Sequence, residues 1–126
     1  MNNKAKTLII VLIALMSVYG LAYAVSSVTA TIDSSPPAAG IFTDSISPSH
    51  KSASGQLLID IYGSSWSATV WLQHSFDSGT TWRDVESYTS NTSNKKIVDF
   101  HSGILYRIGV KSGGFSSGSV AVGLYK

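Results

Sequence analysis

The sequence predicts an all-β protein: an antiparallel β-sandwich, jelly-roll or Ig-like, preceded by an N-terminal hydrophobic helix. Three features point there. Apolar and polar residues alternate in short runs, as at Leu57, Ile59 and Ile61, and a period of two puts each such set on one face of a strand. Clusters of Gly, Pro, Asn and Ser separate the runs by roughly 8–14 residues. After residue 25 no stretch carries the helical period. Six to eight short strands suit one two-layer domain at this length, and the chain is too short for two.

The chain opens with a short basic stretch, Met1 to Lys6, followed by an uninterrupted apolar run from Leu8 to Met16 and by Ala22-Tyr23-Ala24. These are the n-region, apolar core and small-residue cleavage pattern of a secretory signal. Thr7 to Val25 also carries no charge and approaches the length of about 20 residues that a membrane-crossing helix needs. Residues 1–24 therefore read as a signal peptide or a membrane anchor. With either, the rest of the chain is expected outside the cytoplasm: periplasmic, extracellular or held at a membrane through residues 7–25.

Residues 25–55 read as an extended arm or first strands. Val25 to Ile32 is β-prone, Pro36, Pro37 and Gly40 mark a loop, and Ile41 to Ile46 is a short strand. Residues 56–126 read as the sandwich core. Gln56 to Tyr62 alternates, and Ser67 to Ser75 sets Val70 and Leu72 against Trp71 and Gln73. Strands follow at Trp82 to Thr89 and Lys95 to Phe100, with a polar loop between them. Ile104, Tyr106, Ile108 and Val110 share a face, Ser112-Gly113-Gly114 is read as a turn, and Val120, Val122 and Leu124 share the last face.

Charge and cysteine narrow the function. Nine Lys and Arg include Lys4 and Lys6 of the N-terminal segment, so the remainder balances its seven Asp and Glu. No basic stripe is present to neutralise phosphates, so no nucleic-acid partner is expected. The absence of cysteine excludes disulfides, thiol catalysis and Cys-ligated zinc. His50, His74 and His101 lack metal-ligand spacing, so no metal and no cofactor is expected. No nucleophile elbow of the G-x-S-x-G type occurs, and the chain is read as a non-enzyme with no catalytic residues.

One motif is sharp. Ser75-Phe-Asp-Ser-Gly-Thr-Thr-Trp82 fits S-x-D-x-G-x-T-W at each fixed position and resembles the Asp box of sialidases and many other β proteins. Its physics is local: Asp77 accepts backbone N–H bonds across a turn, Gly79 supplies a positive φ, and Trp82 packs its ring against the sheet. Ser75, Asp77, Gly79, Thr81 and Trp82 are thus expected to build a hairpin. A sugar-cleaving site would need two placed carboxylates or an arginine cluster, which the sequence does not supply.

The hairpin belongs to a longer series. Ala68 to Val85, then Gly103-Ile-Leu-Tyr-Arg-Ile-Gly-Val-Lys111, then Phe115-Ser-Ser-Gly-Ser-Val-Ala-Val122 resemble a family of small β-sandwich proteins of tailed phages and prophages. Over Gln56 to Lys126 the chain matches the Asp-box hairpin, the Tyr106-Arg107 pair and the Ser117-Gly118 turn. It departs at Ser78, where glycine is usual, and at the N-terminus, where members carry no signal-like segment. The resemblance implies a virion component of head-decoration or head-fibre type, with a capsid or surface layer as its partner.

Two functions follow as expectations. The first is a structural protein that self-assembles as a closed homo-oligomer. The second is a secreted or surface carbohydrate-binding or adhesion module. Trp66, in a Gly/Ser turn open to solvent, and Trp71, opposite Val70 and Leu72, are the candidate interface or glycan-stacking residues for these two readings, with core packing the default for either ring.

Overall fold

The computed structural model describes residues 26–48, 55–99 and 103–126. The hydrophobic segment, with its signal or anchor reading, lies outside them, as do His50 and His101. The described residues form two four-stranded antiparallel sheets and contain no helix. The strands are β1 (Ser27–Ile32), β2 (Ile41–Phe42), β3 (Gly55–Tyr62), β4 (Ser67–Ser75), β5 (Arg83–Tyr88), β6 (Thr92–Asp99), β7 (Leu105–Ser117) and β8 (Val120–Tyr125). The first sheet runs β1-β8-β3-β6 and the second β2-β7-β4-β5.

The alternation builds one core from the inner faces of both sheets. The first sheet contributes Ile32, Leu57, Ile59, Ile61, Val120, Val122 and Leu124, and the second Val70, Leu72, Tyr106, Ile108 and Val110. Register aligns them, with Ile59 opposite Leu124 and Ile61 opposite Val122 in one sheet, and Val70 opposite Val110 and Leu72 opposite Ile108 in the other. A one-residue slip would turn every one of these side chains to solvent, so burial fixes the pairing.

The residues read as an arm or first strands join the sheets. β1 pairs with β8 from Ser27 opposite Tyr125 to Ile32 opposite Val120, and Ile32 is fully buried. The strand expected over Ile41 to Ile46 is shorter. Only Ile41 and Phe42 pair with β7, and the chain returns to it at a single bridge between Ile46 and Tyr106.

Two boundaries differ for a shared reason. Ser112-Gly113-Gly114 does not turn the chain: β7 continues through it to Ser117, and register shifts between Ser67 and Val70 on β4 absorb the extra residues as bulges. β6 begins at Thr92, inside the expected polar loop, because Asn94 takes a left-handed conformation and lets Thr92 pair with Ile61 across a register shift. In both places the glycine or asparagine that signals a turn marks a bulge instead.

Candidate functional site

The β4–β5 connection folds as its residues dictate. Ser75, fully buried at the end of β4, accepts the Gly79 N–H at 2.9 Å and donates its hydroxyl to Asp77 Oδ1 at 2.7 Å. The same carboxylate oxygen accepts the Thr81 N–H at 2.8 Å, and the Thr80 hydroxyl donates to the Asp77 carbonyl at 3.0 Å. Gly79 has φ +88°, as the turn requires, and the Trp82 ring packs over its open side.

Hydrogen bonds from the Thr81 backbone and the Ser75 hydroxyl hold the Asp77 carboxyl at about 2, below its ordinary 3.8. The folded hairpin therefore favours the ionised form. Its contribution to stability is complete above the ordinary value and is lost as pH falls from about 4 towards 2. Melting curves across that range should show a fall that Asp77→Asn reduces; an equal fall in the variant would contradict the assignment.

Ser78 also adopts positive φ, 57°. A side chain in that region costs about 1–2 kcal/mol, partly offset by the backbone entropy of glycine. Ser78→Gly is expected to stabilise the protein by about 0.5–1 kcal/mol. A melting temperature that fails to rise would rule this out.

The hairpin delivers Trp82 to the outer face of the second sheet, where a larger arrangement lies. The Arg107 guanidinium sits between two rings, 4.1 Å from the centroid of Phe42 and 4.3 Å from that of Trp82. Its Nε donates to Gln73 Oε1 at 2.9 Å, and Gln73 Nε2 donates to Asp84 Oδ1 at 2.9 Å. Asp84 Oδ2 accepts from Lys111 at 2.5 Å, and the Lys111 ammonium lies 4.3 Å from the Trp71 ring centroid. The lattice thus crosses all four strands, from Phe42 on β2 through Arg107 on β7 and Gln73 on β4 to Asp84 on β5.

Strand register explains how these groups meet. Gln73 faces Arg107 on one side and Asp84 on the other, and Trp71 faces Gly109. Gln73 is buried despite its polarity because both ends of its amide are bonded within the lattice. The Lys111 hydrogen bond, with that of Gln73, lowers the Asp84 carboxyl below its usual range, while burial pushes the Arg107 guanidinium down. An arginine so placed still keeps its charge at neutral pH. Two cations against one carboxylate leave the lattice with a positive excess.

The sequence candidates divide here. Ser75, Asp77, Gly79, Thr81 and Trp82 come together in the hairpin, and Trp82 and Trp71 both enter the lattice. Trp66 does not join them. It is half-buried against the edge of the core, with its indole N–H donating to Asn91 Oδ1 at 2.7 Å. Asn91 also clasps the Gly63 backbone through both ends of its amide, so it ties two loops together. The sequence reading missed Phe42, Gln73, Asp84 and Lys111 and took Arg107 only as part of a matching pair. The available signal was that Trp71, Gln73, Arg107 and Lys111 all fall on the polar side of strands whose other side is apolar.

Chemically, the lattice pairs Lys111 with Asp84 and holds Arg107 by the Gln73 amide and two rings. Among the described residues no cluster of His, Asp and Glu is arranged to hold a metal ion. In comparisons with known proteins, no family model, no curated protein and no solved structure matches the chain.

Proposed function

We propose that this chain is a non-enzymatic structural module of the jelly-roll type that assembles with copies of itself through the outer face of the β2-β7-β4-β5 sheet. It is exported, or anchored through residues 7–25, and its role is that of a virion decoration protein. Nesting of first strand with last supports the jelly-roll reading: β1 pairs with β8, β2 with β7, β3 with β6 and β4 with β5. That fold serves capsids and lectins alike, so the function must come from the site.

The observation that carries the reading is the Arg107 guanidinium held between Phe42 and Trp82. Trp and Arg dominate the energetics of protein interfaces. Here both side chains are half-buried, and Arg107 is held by Gln73, itself bonded to Asp84, so the guanidinium has little rotamer entropy left to lose on association. Glycan stacking on the same face is disfavoured, because Lys111 lies over Trp71 and Arg107 occupies the space between the other two rings. The Tyr106-Arg107 pair of the resembling phage family acquires a division of labour: Tyr106 is buried in the core, and Arg107 serves the outer face.

The solution mass of the full-length protein, measured by light scattering, tests this. A discrete closed oligomer is expected; a monomer at high concentration would sink the proposal.

A further inference from the structure

We infer that the outer face of the other sheet carries a saccharide-binding groove, with Asp60 as its hydroxyl acceptor and Tyr62 and Tyr125 as its aromatic walls. The inference does not depend on the assembly reading, since it concerns the β1-β8-β3-β6 sheet and shares no residue with the lattice.

A depression of about 180 Å³ runs over the middle of that sheet. Its floor is low where Ala121 lies on β8, while the Tyr125 ring covers the neighbouring Gly123. Register places Asp60 and Thr29 on the two sides of Gly123, with Tyr62 and Thr31 on the two sides of Ala121. Tyr125 leans back over Gly123: a Cβ built there would lie 2.7 Å from its Cε2 and 2.8 Å from its hydroxyl oxygen. Tyr62 stands at the other end with 61% of its surface exposed.

The groove's polar groups are unspent. Asp77, Asp84 and Glu86 are each tied to a partner, whereas no described residue bonds or pairs with the side chains of Asp60, Thr29, Thr31, Tyr62 or Tyr125. An unpaired carboxylate and several hydroxyls set in a shallow trough between aromatic rings match a ligand with many hydroxyls and apolar ring faces, which is a sugar. A quaternary ammonium fits less well. It would leave the Thr29 and Thr31 hydroxyls that line the trough unused. Neither ring carries a stacked cation among the described residues, unlike the rings of the lattice.

The test is a titration of the isotopically labelled full-length protein with cellobiose, lactose and diacetylchitobiose, and separately with tetramethylammonium, followed by backbone amide NMR. At least one disaccharide should shift the Thr29, Asp60 and Gly123 signals at millimolar concentration. Tyr62→Ala and Asp60→Asn should each weaken that binding by about tenfold, the factor set by 1.4 kcal/mol. Val85→Ala, on the other sheet, should leave it unchanged. The inference is overturned if no disaccharide moves these signals, if only tetramethylammonium does, or if both groove variants bind like the wild type.

Discussion

Ile59→Ala should lower stability by about 2–5 kcal/mol, the range for emptying a fully buried aliphatic site. Ile59 has no exposed surface, faces Leu124 across β8 and belongs to the one core that both sheets share. For a domain of this size the loss corresponds to at least about 10 °C in melting temperature. The next residue supplies the control. Leu58 points to the opposite face with 38% of its surface exposed, and Leu58→Ala should change stability by only about 0.5 kcal/mol. Thermal melts of the two variants decide the matter: similar losses would mean that the inward and outward faces of β3 are wrongly assigned.

Gly109→Ala is expected to detach β2. Gly109 lies on β7 between Phe42 on one neighbouring strand and Trp71 on the other. A Cβ there would stand 2.1 Å from the Ile41 carbonyl oxygen and 2.6 Å from the Phe42 Cα. Both obstacles are backbone, so no change of rotamer relieves them. Overpacking of this kind costs about 1–3 kcal/mol. It should also break the Thr43 N–H bond to the Ile108 carbonyl, 2.9 Å, and draw Phe42 away from Arg107. The expected signature is a lower melting temperature with faster hydrogen exchange at the Thr43 amide. An unchanged melt with Thr43 still protected would show that β2 does not lie against β7 as described.

The contrast between these sites follows what a sequence can express. Leu57, Ile59 and Ile61, or Val120, Val122 and Leu124, announce their strands because burial acts on every second residue of a continuous segment. The Asp-box hairpin was equally legible, since Ser75, Asp77, Gly79 and Thr81 satisfy one another within a few residues. The lattice was not. Arg107 and Gln73 are 34 positions apart and Lys111 and Asp84 are 27 apart, so their meeting depends on strand order, which alternation does not specify. Trp66 shows the same limit: the loop around it has the composition of an exposed turn, but Asn91 arrives from 25 residues away to hold the indole. The continuity of β7 through Gly113 and Gly114 was hidden because glycine serves bulges as readily as turns.

On the proposed function, copies of the chain meet through the Phe42–Arg107–Trp82 stack and its Gln73–Asp84–Lys111 support. The most direct measurement is the light-scattering mass of full-length Arg107→Ala beside the wild type at matched concentrations, with circular dichroism to show that both keep their β structure. A closed oligomer is expected for the wild type and a folded monomer for the variant, because removing the guanidinium empties the space between two rings and leaves Gln73 without its donor. A wild-type monomer, or a folded variant that keeps the wild-type oligomer, would contradict it.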